Sequence, residues 1–112
     1  MRYRAFGSTG LQVSILGFGC GAVGGLMVRG EHGEMLRSVE YALESGINYF
    51  DSARMYGDGL SEIHTGAVLR ELGARDALVG TKVRLSAAEF DSIETAIEGQ
   101  IENSLRRLGR DA

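Results

Sequence analysis

The 112-residue chain is long enough for one folding unit and too short for two of ordinary size. With 44% apolar and 24% charged residues it has the composition of a globular domain, and a net charge of −3 with no basic run longer than Arg106-Arg107 excludes nucleic acid as an expected partner. A single cysteine, no charged-then-apolar leader and no apolar run near the roughly 20 residues of a membrane span argue against a disulfide framework, a secretory signal and a transmembrane helix, so a cytoplasmic location is expected.

Residues 2–6 and 11–16 flank Gly7-Ser8-Thr9-Gly10, a turn signal between two strand-like runs, which predicts a β-hairpin. Val13 to Phe18 then predicts a buried strand leading into a loop with glycines at 17, 19, 21, 24, 25, 30 and 33, because each glycine costs a helix about 1 kcal/mol relative to alanine. Met35, Leu36, Val39, Ala42 and Leu43 recur at helical spacing, and Gly46 stands where a left-handed terminator belongs. Ile47 to Phe50 predicts a short strand ending at Asp51. Ile63, Ala67, Val68 and Leu72 then mark a second helix closed by Gly73. Ala77 to Val83 predicts a third strand, and Ser86-Ala87-Ala88-Glu89 has the form of a capping box near the start of a third helix. Ile93, Ile97, Ile101, Leu105 and Leu108 give that helix its apolar stripe, and Gly109 ends it. Strand and helix alternating three times imply parallel strands joined by right-handed crossovers, an α/β class, with no linker that would divide residues 1–112 into domains.

Parallel α/β folds carry their chemistry at the carboxyl ends of the strands. Asp51 ends the second predicted strand, Tyr56 lies in the loop after it, and Lys82 lies near the end of the third. Adjacent strands run about 4.8 Å apart, which puts an aspartate and a lysine on neighbouring strand ends within ion-pair reach and lets the tyrosine lean over both. A phenol can protonate a carbonyl oxygen while hydride arrives at carbon. A free tyrosine has a pKa near 10, however, and needs a nearby ammonium to favour its phenolate. Asp51 would keep that ammonium charged and oriented.

The run Gly46-Ile47-Asn48-Tyr49-Phe50-Asp51-Ser52-Ala53-Arg54-Met55-Tyr56-Gly57 closely resembles the aldo-keto reductase signature, in which a Gly-x-Asn strand leads to Asp-Thr/Ser-Ala and then Tyr-Gly. Ser61-Glu62, Thr81-Lys82 and the opening hairpin followed by Val13-Ser14-x-x-Gly17-x-Gly19 are similar to the same family, so the resemblance spans nearly the whole chain. It implies a hairpin followed by about three βα units of a (β/α)8 barrel, and NADPH-dependent reduction of aldehydes or ketones. In this reading Tyr56 is the general acid, Lys82 its pKa-lowering partner, and Asp51 the orienting carboxylate near the nicotinamide ribose. In that family NADPH is held without a Rossmann motif, mostly by the second half of the barrel. A fourth catalytic residue, a histidine, ends the fourth strand, which should begin at Gly109-Arg110-Asp111-Ala112; neither His32 nor His64 occupies its place.

Gly19-Cys20-Gly21-Ala22-Val23-Gly24 also has the G-x-G-x-x-G form, with Asp51 placed like the ribose-binding acid of a Rossmann unit. Further glycines postpone the helix and the acid lies beyond the usual spacing of about 20 residues, which favours a substrate-side or cofactor-side loop. Gly19, Cys20 and Gly21, with Asp51, are then the candidate cofactor contacts. Asp51 and Lys82 read alone would be a structural ion pair, and Tyr56 is what changes that balance. Cys20 is expected to line the loop rather than act as a nucleophile. Tyr3, Tyr41 and Tyr49 are expected to pack, and His64 to face solvent. Glu98, Glu102, Arg106 and Arg107 read as a solvated helix face. His32, His64 and Cys20 make no metal-ligand spacing, so no metal is expected. The alternatives are a non-catalytic unit that buries its open sheet by self-association or against a missing barrel half, and a stand-alone dinucleotide-binding module.

Overall fold

A computed structural model describes residues 1–112. A hairpin of β1 (Tyr3–Ala5) and β2 (Gln12–Ser14) opens the chain, followed by β3 (Phe18–Gly19), a one-turn α1 (Leu26–Arg29), α2 (His32–Glu44), β4 (Tyr49–Asp51), α3 (Leu60–Glu71), β5 (Leu78–Gly80) and α4 (Ile93–Leu108). β3, β4 and β5 form a parallel sheet in that order, in register Phe18 with Phe50 and Gly19 with Asp51, then Phe50 with Val79 and Asp51 with Gly80. The α/β class and the partial barrel expected from the sequence are therefore present, without closure. No helix is long and apolar enough to cross a membrane.

The core lies between sheet and helices. Phe50 is wholly buried and stacks obliquely on Phe18 at 5.4 Å, while Met35 and Val39 from one face of α2 and Val68 and Leu69 from α3 close over them. Alternation along a strand then sends Tyr49 and Asp51 to the opposite face of the sheet. There the Tyr49 ring crosses from Gly17 to Gly80, and at both positions a side chain would meet it.

Asn48 explains the hairpin's position. Its side chain accepts from the Ser14 amide at 2.8 Å and donates to the Gln12 carbonyl at 2.8 Å, and Tyr3 donates its hydroxyl to the Gly46 carbonyl at 2.8 Å. Gly46 has φ +86°, and a Cβ there would press on Met1. The Gly-x-Asn pair thus ends α2 and ties the hairpin beneath β4.

Several boundaries differ from the sequence reading. Val13 to Phe18 is not one strand: Ile15 and Leu16 are exposed between β2 and β3, because the hairpin partner ends where the parallel sheet begins. The glycine loop contains α1, which occupies its one glycine-free stretch of four residues. The third strand stops at Gly80 rather than Val83, and the Ser86/Glu89 capping box opens a 3-10 turn, Ala87–Ser92, that feeds α4. α3 buries Ser61, Glu62, Thr65, Gly66, Val68 and Leu69, leaving Ile63 exposed, so its buried face is partly polar and rotated from the apolar stripe. Gly66 lies on that face because the backbone at Leu108 of α4 takes the place of its side chain. Tyr41 and Tyr3 are exposed rather than packed, Tyr3 being held only by its hydroxyl on the Gly46 carbonyl, while Tyr49 does pack, against Phe6.

Candidate active site

The register sets Gly19, Asp51 and Gly80 side by side at the carboxyl end of the sheet. The chain turns outward there through ladder-like bonds, Cys20 N–H to the Asp51 carbonyl at 2.9 Å and Ser52 N–H to the Gly80 carbonyl at 2.8 Å. The Lys82 ammonium forms an ion pair with Asp51 Oδ1, donates to the Ser52 carbonyl at 2.7 Å, and stands 4.8 Å from the centre of the Tyr56 ring. That last separation lies within the roughly 6 Å over which an aromatic face attracts a cation. Asp51, Tyr56 and Lys82 therefore meet at the strand ends, as the sequence led one to expect.

Partial burial works against the Lys82 charge, but the hydrogen bond to the Asp51 carboxylate and its negative charge, with the adjacent Tyr56, outweigh it and raise its pKa above the ordinary lysine value. The group accordingly stays an ammonium throughout the neutral range. Tyr56 is held by its backbone, donating to the Ala53 carbonyl at 3.1 Å and accepting from the Ser61 amide at 3.2 Å. Gly57, Asp58 and Gly59 follow, all at positive φ, and swing the chain into α3. The ring faces Gly21 across the site, where a Cβ would lie 3.7 Å from it.

The glycine loop divides in its roles. Gly19 is open, and Gly21 lies against Tyr56, but Cys20 is wholly buried in the core. Burial pushes the Cys20 thiol up to about 11, only partly offset by the neighbouring Thr65 hydroxyl, which removes it as a nucleophile. Its carbonyl accepts the Ser61 hydroxyl at 2.8 Å, so Cys20 builds the turn and offers no side chain to the site. The helix after Gly19-x-Gly21-x-x-Gly24 is the single turn α1, and α2 begins only at His32, so these glycines do not sit at the start of a long helix as a Rossmann unit requires. His64 is half-buried against the Met27 carbonyl at 2.9 Å rather than facing solvent, and His32 pairs with Glu71 at 2.9 Å on the outer surface.

A buried polar network beneath the site is absent from the sequence reading. Glu62 is wholly buried, accepts the Thr81 hydroxyl at 2.6 Å and is ion-paired with Arg107 of α4. Beside it the Ser52 and Ser61 hydroxyls are 2.8 Å apart. Arg107 thus leaves the solvated face assigned to it, because α4 turns that position toward α3. Burial alone would raise the Glu62 pKa. Hydrogen bonds from Thr81 and Arg107, the nearby Ser104 hydroxyl and the guanidinium charge prevail and hold it below the ordinary carboxylate value. Removing one partner of a buried pair typically costs about 3–5 kcal/mol, so Arg107→Met is expected to destabilise the fold by that order. A group with a depressed folded-state pKa stabilises above its unfolded value, and the contribution is lost as pH falls through the folded one. Urea titrations should therefore show the deficit of Arg107→Met in full above about pH 4.3 and shrinking below it.

Gln100 of α4 fastens the loop beyond β5, accepting from the Arg84 amide at 3.1 Å and from Arg54 at 3.2 Å and donating to the Arg84 carbonyl at 3.0 Å. A lone glutamine in an amphipathic helix gives no sequence signal of such a role. Ser61-Glu62 and Thr81 did stand out by resemblance, without a function attached.

The model of the aldo/keto reductase family matches residues 15–112. Aldo-keto reductase YhdN of Bacillus subtilis is 34% identical over 117 aligned residues, covering 99% of this chain and 35% of that protein. Among solved structures, an aldo-keto reductase from Bacillus halodurans in its holo form superposes with a TM-score of 0.77 at 34% identity, over 99% of this chain and 37% of that one. Another from Klebsiella pneumoniae, in complex with NADPH, gives 0.69 at 26% identity, over 91% and 34%. The chain spans about a third of the length of the relatives it matches.

Proposed function

The chain belongs to the aldo/keto reductase family, and from that premise we propose that the polypeptide carrying it is an NADPH-dependent oxidoreductase that reduces aldehydes or ketones to alcohols. One observation carries the reading: a tyrosine, a raised-pKa lysine and an aspartate share one point at the carboxyl ends of parallel strands. The donor set suits a nicotinamide ribose. Asp51 is half-exposed and commits a single oxygen to Lys82, and Gly19 and Gly21 leave the approach beside it free of side chains. Asp51, Gly19 and Gly21 would hold that end of the cofactor, with Cys20 shaping the turn between them. When bound, the nicotinamide supplies the hydride.

Tyr56 gives its hydroxyl proton to the carbonyl oxygen as that oxygen gains charge. The Lys82 ammonium over the ring face stabilises the phenolate left behind, and Asp51 keeps the ammonium in place. The phenolate regains its proton from solvent through the half-exposed lysine. Lys82→Met tests this reading. It is expected to lower kcat by about 100-fold or more and to move the alkaline limb of the kcat profile, because the phenol loses its neighbouring charge. An unchanged profile with retained rate would reject the assignment of Lys82.

A further inference from the structure

We propose that Glu62 is a positioning residue: from its buried place in the first turn of α3 it holds, through Thr81, the strand end from which Lys82 reaches Asp51 and Tyr56. The proposal rests on the reading of Lys82 given above and extends it to a residue that touches neither substrate nor cofactor.

The backbone makes such a hold necessary. The β5 ladder ends at Gly80, and beyond it no backbone hydrogen bond fixes Thr81 or Lys82. What fixes the segment is side-chain contact, Thr81 to Glu62 on one side and Lys82 to Asp51 and the Ser52 carbonyl on the other. Successive side chains of an extended segment point to opposite faces, so Thr81 turned inward to Glu62 sets Lys82 outward into the site. Releasing Thr81 frees the peptide to rotate, and the ammonium loses its fixed distance from the phenol.

The chemistry of the hub requires a carboxylate. Its two oxygens serve two donors from different elements, the Thr81 hydroxyl at the end of β5 and the Arg107 guanidinium on α4. A glutamine offers one acceptor oxygen and turns an amide N–H toward one of these donors. Glu62 also follows Ser61, whose hydroxyl meets the Ser52 hydroxyl and the Cys20 carbonyl, so one turn of α3 anchors all three strand ends. Geometry transmitted this way matters to rate, since a displacement near 1 Å can cost about 100-fold.

The test uses the polypeptide carrying this segment at the length its host produces, with 4-nitrobenzaldehyde and NADPH as probes. Thr81→Val is expected to lower kcat about 10- to 100-fold while leaving NADPH affinity near wild type, and to move the alkaline limb of the kcat profile in the direction that Lys82→Met moves it. Thr81→Ser, which keeps the hydroxyl, should restore both. Glu62→Gln should act in the same direction, and the double variant with Thr81→Val should be no slower than the slower single variant, because both lie on one path. A second readout is independent of turnover: acetic anhydride should modify Lys82 several-fold faster in Thr81→Val than in wild type, measured by peptide mass spectrometry. Wild-type pH profile and wild-type Lys82 reactivity in Thr81→Val would overturn the proposal and leave Glu62 a purely structural clamp between α3 and α4. Retained turnover in both Lys82→Met and Tyr56→Phe would instead overturn the catalytic reading itself, and the positioning role with it.

Discussion

Tyr56→Phe is expected to lower carbonyl reduction by about 100- to 10,000-fold, the range associated with loss of a positioned general acid, while NADPH affinity stays near wild type. The substitution removes one oxygen and leaves the ring, which packs against Gly21 and under the Lys82 ammonium. It therefore spares the cation's aromatic neighbour and deletes only the transferable proton. The loss should fall on kcat and kcat/KM alike, because the interaction is made in the transition state and not with the bound ground state. Steady-state kinetics together with an NADPH fluorescence titration separate the two effects. A variant turning over within a few-fold of wild type would mean that the proton comes from another group. A variant that had lost NADPH binding would mean that Tyr56 belongs to the cofactor's own pocket.

The sequence made this triad legible because twelve consecutive residues, Gly46 to Gly57, carry a strand, its carboxyl-end acid and the following loop tyrosine at fixed spacing, and Thr81-Lys82 stands near the end of the next predicted strand. Helices α2 and α4 were equally legible, since apolar periodicity and a following left-handed glycine are local signals. The strand limits were not. β3 and β5 have two and three residues, and their ends depend on where neighbouring strands stop, which no local pattern records. The Glu62 hub was hidden for a further reason. Periodicity reads charges on a helix as its solvent face, whereas Glu62 and Arg107 neutralise each other between two packed helices. α3 buries its polar face because α1, α2 and α4 all pack on it, an arrangement that becomes visible only in three dimensions.

Residues 1–112 produced alone are expected neither to reduce carbonyls nor to behave as a compact monomer. A barrel of this kind takes about 250 residues and fills its centre with side chains from all eight strands. Here only 21 of 112 residues are buried, so the core that does form, between sheet and helices, supports a small part of the chain. Beside β5, between the hairpin and α4, lies a groove of about 510 Å³ lined by Phe6, Tyr49, Leu78, Val83, Ile101 and Leu108. Much of the apolar stripe of α4 borders it, and Ile93 and Ile101 stay exposed. The outer edges of β3 and β5 are unpaired, and a parallel sheet is ordinarily covered on both faces. An apolar groove beside an open strand edge gives association two driving forces at once, burial and backbone pairing. The expected product is thus a self-associated or loosely packed species without measurable NADPH affinity, since Asp51, Gly19 and Gly21 offer only one end of a dinucleotide site. Light scattering, near-ultraviolet circular dichroism and an NADPH titration on the purified polypeptide decide the matter. Adding the remaining strands of a relative in trans should restore both monodispersity and cofactor binding. A monodisperse monomer with fixed aromatic signals and micromolar NADPH affinity would show that three strands and a hairpin suffice, and that the uncovered face is no liability.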